Sequence, residues 1–268
     1  MFQLFREIFK PAYQYLSNAE YREWVYVKSR CRNKPKGTPI SLNICGFTVA
    51  GNDAPSFLHQ YREIIVERAF ETDFQKKDPV IFCCGANIGL EIFFFKKQYP
   101  ECKIVAFEAD PLISKTLSEN VSRNNLKNVE VISAAVWKEN GMLDFQSDGA
   151  LGGKVGVGFT SVKSIRLSDE LKKENKIDLL IMDIEGAEIE VLKDCMEELK
   201  RVNRLFVEWH GNEKQEQDLS EILQLLKVSG FRYRLNNKLP KAPFHNRIVE
   251  NGFDAMVEIY GTRQGTNY

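Results

Sequence analysis

A chain of 268 residues holds one substantial α/β core, or one core with a small appendage, and is too short for two large domains. Its hydrophobic fraction of 43% and charged fraction of 28% are ordinary for a globular protein. Lys plus Arg equals Asp plus Glu, at 37 each, which argues against nucleic acid as an obligatory partner.

The opening segment repeats Phe2, Phe5, Phe9, Ala12, Tyr13 and Leu16 at helical spacing and reads as an amphipathic helix ending near Ser17. Packing on the main domain, peripheral membrane contact and homodimerisation are the three uses open to such a helix. Arg6, Glu7, Lys10 and Pro11 break the apolar run that a signal peptide requires, and no later window is long and apolar enough to cross a bilayer. Six cysteines at irregular spacing form neither a CxxC pair nor a disulfide framework, so a reducing, cytoplasmic setting is expected. Ser17 and Glu20 make a capping-box pattern for a second helix running to about Ser29. A hairpin turning near Gly46 and a helical stretch from Ser56 to Phe70 complete an appendage over residues 1–77.

From Asp78 short apolar runs alternate with helical stretches, which predicts a domain over 78–262 followed by a frayed tail, 263–268. The predicted strands are Val80 to Cys84, Lys103 to Glu108, Asn128 to Ala134, Ile177 to Asp183 and Arg204 to Trp209. Helices are predicted near Ile88 to Gln98, Leu112 to Asn124, Ala187 to Leu199 and Gln215 to Ser229. This alternation is the pattern of a Rossmann-like α/β fold, a mostly parallel sheet with helices on both faces. Two further β-like runs, Phe231 to Leu235 and Phe253 to Tyr260, predict a closing hairpin that adds an antiparallel strand. A Gly-rich stretch over 149–158 reads either as a lid over substrate or as a surface linker.

In such folds the ligand lies at the carboxyl ends of the strands, beside a helix N-terminus. The first strand runs into Gly85-Ala86-Asn87-Ile88-Gly89, where Gly85 permits the tight turn and Gly89 close approach to a ligand. Glu108 ends the second strand, 23 residues after Gly85, where a carboxylate accepts hydrogen bonds from both ribose hydroxyls of an adenosine ligand. Asp110 and Pro111 then start the next helix, as cap and first-turn residue. A dinucleotide needs backbone N–H groups for its pyrophosphate, usually through GxGxxG, and here Asn87 replaces the second glycine. S-adenosylmethionine has no phosphate and suits the loop better. The expected cofactor-binding residues are Cys83, Gly85, Ala86, Asn87, Gly89, Glu108, Ala109, Asp110, Ala134, Ala135 and Asp183.

The most distinctive run, Leu179-Leu180-Ile181-Met182-Asp183-Ile184-Glu185-Gly186-Ala187-Glu188, carries two acids to the carboxyl edge of a buried sheet. Glu188 reads equally well as a first-turn residue favoured by the helix dipole. The next strand delivers His210, one of three histidines in the chain, to the same edge. Expected catalytic residues are His210 as base, with Asp183 and Glu185 as base partners or as oxygen ligands for a divalent ion such as Mg²⁺.

Together, VIFCCGANIGLEIF, VAFEADP, NVEVISAAVW, LLIMDIEGAEIEVLK and LFVEWHG resemble the FkbM family of methyltransferases over about Asp78 to Gly211. The resemblance implies a class I methyltransferase sheet of seven strands with the last antiparallel. It also implies S-adenosylmethionine as cofactor and a hydroxyl on a sugar, glycan or glycosylated metabolite as acceptor. Cys83 stands where the family commonly has an acid, which keeps a non-catalytic scaffold relative as an alternative. An NAD(P)-binding oxidoreductase, for which Tyr99 and Lys103 supply the YxxxK pattern, is the other; Pro100 between them opposes it.

Overall fold

The computed structural model describes residues 13–146, 154–155, 160–212, 216–237 and 253–263. Most of the predicted opening helix and of the Gly-rich stretch lies outside the described residues. The chain continues with α1 (Ala19–Cys31), the hairpin β1 (Ile40–Ile44) and β2 (Phe47–Gly51), α2 (Ala54–Tyr61), and a π-helical turn (Arg62–Val66). Asn18 caps α1, accepting from the Tyr21 N–H at 3.1 Å, while the Ser17 hydroxyl donates to the Tyr13 carbonyl; the predicted cap is displaced by one residue.

The main sheet follows, with β3 (Val80–Cys84), α3 (Leu90–Gln98), β4 (Lys103–Glu108), α4 (Pro111–Arg123) and β5 (Val129–Ser133). The predicted third strand thus stops one residue before Ala134. The chain then forms β6 (Ala135–Trp137), β7 (Gly141–Gln146), β8 (Lys154–Val155) and β9 (Thr160–Arg166), a second sheet of order β6-β9-β7-β8 that the pattern reading did not anticipate. After α5 (Leu167–Leu171), β10 (Leu179–Met182) rejoins the main sheet, followed by α6 (Glu188–Asp194), a 3₁₀ turn (Glu198–Arg201), β11 (Arg204–Gly211), α7 (Leu219–Val228), β12 (Phe231–Asn237) and β13 (Ala255–Arg263).

The seven-stranded sheet has the order β12-β13-β11-β10-β3-β4-β5. β3, β4, β5, β10 and β11 are parallel, and β13 runs antiparallel to β11. This is the class I methyltransferase arrangement, mixed only at its β12-β13 end. The strands are apolar throughout because both faces are covered. Ile81 and Cys83 pack toward the appendage with Val27, Phe57 and Phe95, while Phe82 and Cys84 pack beneath the other layer with Leu192, Leu226 and Ile259.

Side chains from α4 fasten the appendage to the domain. The Asn120 amide donates to the Ala50 and Ile88 carbonyls and accepts from the Ala50 N–H, and Asn124 repeats the pattern on Thr48. The oxidoreductase pattern dissolves: Tyr99 follows the end of α3 and donates to the Thr72 carbonyl, whereas Lys103 opens β4 and pairs with Glu174. All six cysteines are buried free thiols. Among the described residues, no helix is long and apolar enough to cross a membrane.

Candidate active site

Two groups of polar side chains occupy the carboxyl edge of the sheet, and they meet where β3 adjoins β10. The first is organised by the loop after β3. Gly85 (φ 82°), Asn87 (φ 46°) and Gly89 (φ 88°) all take left-handed conformations, and the Gly85 and Ala86 N–H groups donate to the Phe107 carbonyl. A β-carbon at Gly85 would fall 1.8 Å from the Asp183 carbonyl oxygen, so glycine is obligatory twice over, for φ and for space. At Gly89 the close approach is to a helix rather than to a ligand: a β-carbon there would stand 2.5 Å from Leu117 Cδ1 of α4.

Glu108 turns toward this loop. Its Oε2 accepts from the Asn87 N–H and its Oε1 from the Asp110 N–H, both at 2.8 Å. Burial nevertheless lifts the carboxyl to about 7, with these backbone N–H groups pulling the other way. Asp110 caps α4, accepting from Leu112 and Ile113, as its sequence position predicted. A small, partly open pocket lies beside the loop, its lining including Asn87, Ile88 and Ile113 and, from the appendage, Asn52, Ser56 and Gln60. Sequence reasoning missed these three appendage residues, because nothing local signals that α2 folds back over the loop.

Of the expected cofactor-binding residues, only Asn87 lines that pocket. Cys83 is buried beneath the loop, and its thiol is pushed well up by burial, then by the charge of Glu91. Ala134 and Ala135 are buried at the end of β5 and the start of β6, with Ala135 packed against Ala109, Phe145 and Val162.

The second group lies after β10 and within β11. Glu185 takes φ 57°, a strained conformation for a residue with a side chain, and Gly186 at φ 98° lets the chain turn into α6. Glu188 is buried, and its Oε1 accepts from the Gly186 N–H at 3.0 Å and the Ile184 N–H at 3.3 Å. The same oxygen stands 3.1 Å from His210 Nδ1, so Glu188 ties the turn to the imidazole rather than serving as an ordinary first-turn acid. His210 Nε2 then faces Asp183 Oδ1 at 3.8 Å, Glu185 Oε2 at 3.8 Å and Glu208 Oε1 at 3.7 Å. Phe253 packs on the ring with centroids 4.7 Å apart.

The Asp183 side chain is 42% exposed, yet its Oδ1 is buried and has no hydrogen-bond partner. Burial of that oxygen raises the Asp183 carboxyl well above the usual range, the charge of Glu208 adds to this, and His210 opposes it. For His210, burial alone would lower the imidazole. The hydrogen bond and charge of Glu188, with the charges of Asp183 and Glu185, outweigh it and raise the ring to about 10. The surrounding carboxylates thus favour the charged form of the ring. The structure thereby brings the three expected catalytic residues, His210, Asp183 and Glu185, together at one point of the sheet edge.

Glu208 and Glu258 face each other across β11 and β13, and Glu63 from the π-helical turn joins them to form a second carboxylate group. Their sequence signal was an acid inside an apolar strand run, VEW and VEIYG, which the motif reading passed over.

A seven-stranded sheet of this order, with a glycine loop and an acid after its second strand, defines a methyltransferase of class I architecture. A family model for the FkbM methyltransferase domain matches residues 84–233, more than half of the chain, and the chain belongs to that family. It is 30% identical over 180 residues to the methyltransferase sdnD of Sordaria araneosa, covering 52% of this chain and 68% of that protein. With the 2-O-methyltransferase NoeI of Sinorhizobium fredii it shares 28% identity over 60% of this chain and 76% of the relative. The hexuronic acid methyltransferase AglP of Haloferax volcanii is 26% identical across 81% of this chain and 92% of its own. In fold, the chain is similar to the crystal structure of an FkbM methyltransferase from Methylobacillus flagellatus, with a TM-score of 0.51 at 15% identity over 77% of this chain and 50% of that one.

Proposed function

We propose that this chain transfers the methyl group of S-adenosylmethionine to a hydroxyl oxygen on a sugar, a glycan or a glycosylated metabolite. The observation that carries the reading is the adjacency of the two polar groups. The Gly85 turn, which bonds to the carbonyl preceding Glu108, is in backbone contact with Asp183, so an adenosine ligand held at one is next to an acceptor held at the other. The names of NoeI and AglP, a 2-O-methyltransferase and a hexuronic acid methyltransferase, support oxygen as the nucleophile and a sugar as the acceptor.

The residues fit the cofactor. Glu108 keeps both oxygens fixed by backbone N–H groups and retains further lone pairs for ribose hydroxyls, and the loop lacks the GxGxxG cradle that a pyrophosphate would use. When bound, S-adenosylmethionine supplies a methyl on a sulfonium whose departing thioether is neutral, so the chemistry of leaving is already provided. What remains for the protein is alignment, proton removal and exclusion of water. The single proton of the acceptor hydroxyl would pass to one of the cluster side chains, His210, Asp183 or Glu185, with the cofactor supplying the methyl group. Glu188 and Phe253 hold His210 against these acids, which fixes the geometry of the group.

The test is incubation with methyl-labelled S-adenosylmethionine and a panel of neutral sugars, amino sugars, uronic acids and lipid-linked glycans. Label in an alkali-stable ether on a sugar is the expected result. Label only in esters, amines or protein, or calorimetry with no heat from S-adenosylhomocysteine, defeats the reading; the second outcome favours a scaffold.

A further inference from the structure

We propose that Asp183, Glu185 and His210 form a divalent-cation site with mixed nitrogen and oxygen donors, and that Glu188 aims the imidazole into it. The His210 side chain is 2% exposed, and Glu188 occupies the neighbourhood of Nδ1 at 3.1 Å. The other nitrogen, Nε2, therefore faces the cluster. Three carboxylate oxygens surround it at 3.7 to 3.8 Å, beyond hydrogen-bond distance. Asp183 Oδ1, one of the three, is buried without a hydrogen-bond partner, which is costly for an ionisable oxygen that nothing else satisfies.

That spacing is wrong for hydrogen bonds and right for a shared ion. Donors bound at ~2.1 Å to one metal stand roughly 3.0 to 4.2 Å apart, depending on the angle between them. The donor atoms of Asp183, Glu185 and His210 all lie within 4.8 Å of one another. Glu208 Oε1 stands 3.7 Å from Nε2 but groups with Glu63 and Glu258 rather than with this trio.

The surroundings also have the form of a ligand shell. A metal-binding histidine commonly gives its second nitrogen to a carboxylate, which fixes the ring and its tautomer. Glu188 does this from the first position of α6 while its oxygen is itself held by two backbone N–H groups, so the aim of the ring is set by the main chain. The strained backbone of Glu185 has a use here, because it brings a second carboxylate around the turn to the same side as Asp183. One imidazole with two carboxylates suits ions of the Mn²⁺ and Mg²⁺ class that accept oxygen donors and keep open positions.

The consequence for chemistry rests on the methyl-transfer reading above. An ion in this group gives the acceptor hydroxyl oxygen a fixed position and lowers its pKa, its proton still leaving to a cluster carboxylate. Binding of the ion is tested apart from that consequence.

The experiment is Mn²⁺ titration of the full chain followed by electron paramagnetic resonance, in parallel with calorimetric titration of S-adenosylhomocysteine. The expected result is one bound Mn²⁺ per chain, weakened at least tenfold by Asp183→Asn and by Glu185→Gln. Glu188→Gln weakens it by about ten- to a hundredfold, as an outer carboxylate does. Glu188 is buried, so that variant is read only where circular dichroism matches the wild type; the partly exposed Asp183 and Glu185 carry the decisive arms. Broadening of the His210 ring resonances by substoichiometric Mn²⁺ in the wild-type chain gives a readout that needs no variant. Absence of Mn²⁺ binding, equal affinity in Asp183→Asn and Glu185→Gln, or undisturbed His210 resonances overturns the proposal. A chain that binds Mn²⁺ as expected but gives no heat with S-adenosylhomocysteine keeps the site and loses the methyl-transfer reading.

Discussion

The two acids that end neighbouring parts of the sheet, Glu108 and Asp183, are solvents of different problems. Each oxygen of Glu108 already holds a backbone N–H, and the side chain is largely buried. Asp183 has one buried oxygen with no hydrogen-bond partner and a side chain 42% open to solvent. A group satisfied by the main chain is pre-set to hold a ligand in one orientation, whereas a group left short of partners is set to gain one during the reaction. In the proposed reading the same sheet edge separates holding from reacting over the width of two strands, and substitutions at the two acids are expected to divide accordingly.

The largest expected effect is at Asp183. Asp183→Asn lowers methyl transfer by about 10²- to 10⁴-fold, the range for losing a positioned proton acceptor, and changes the affinity for S-adenosylhomocysteine little. Single-turnover kinetics with labelled cofactor and an identified acceptor measures the first, and calorimetry the second. A matching loss in both would erase the division between the two acids.

Next in size is Glu188→Ala, which removes the carboxylate from a buried histidine and leaves the Ile184 and Gly186 N–H groups without their acceptor. Breaking a buried charge pair costs on the order of 3 to 5 kcal/mol, so thermal unfolding shifts down by several degrees, and Glu188→Gln recovers part of the shift. A variant as stable as the wild type would show that the turn does not depend on this contact.

At Glu108 the effect is on binding. Glu108→Ala loses hydrogen bonds to a charged acceptor, worth about 1.5 to 3 kcal/mol, which is ten- to a few-hundredfold in S-adenosylhomocysteine affinity. The carboxyl titrates near 7, and only its ionised form offers every lone pair to a ribose. Affinity therefore rises as pH is raised through 7 in the wild type and stays flat in Glu108→Gln. Equal pH profiles for the two proteins would take the ribose contact away from Glu108.

The holding half of the edge was more legible in the sequence than the reacting half, and the reason is physical. The loop after β3 and the acid after β4 belong to one βαβ unit, so a short stretch of chain carries both the glycines and the carboxylate at a fixed spacing. The parallel strands were legible too, since burial on both faces leaves apolar runs that need no partner to be seen. The second sheet was not: its strands, such as β7 and β9, expose alternate residues and carry Lys163, Asp144 and Gly141, which dilute any pattern. Asp183, Glu185 and His210 were visible as acids and a histidine at strand ends. Their joining through Glu188 was not, because it depends on how tightly the Glu185-Gly186 turn folds. Glu63, Glu208 and Glu258 meet across elements far apart in the chain, a distance that motif spacing does not cover.

The smallest expected effect concerns Glu91, and it sharpens the contrast from the other side. Glu91 sits in the first turn of α3, buried, with Oε1 lacking any hydrogen-bond partner, and burial lifts its carboxyl to about 8. Like Asp183 it is an acid short of partners, but it lies under the loop, close enough for its charge to be felt at Cys83 and for the charge of Glu108 to be felt at Glu91. In the folded chain it keeps its proton to about pH 8, while in the unfolded chain it loses it near the ordinary value of 4.5. Across that window the unfolded state binds fewer protons, so stability is full below it and falls as pH rises through it. Glu91→Gln keeps the shape and cannot ionise. Its melting temperature should vary less between pH 5 and 8.5 than that of the wild type, with Glu91→Gln the more stable of the two at the upper end. Thermal melts at both pH values in both proteins measure this; a wild-type slope that persists in Glu91→Gln assigns the titration to the other raised groups, Glu108, Asp183 and His210, whose shifts have the same sign.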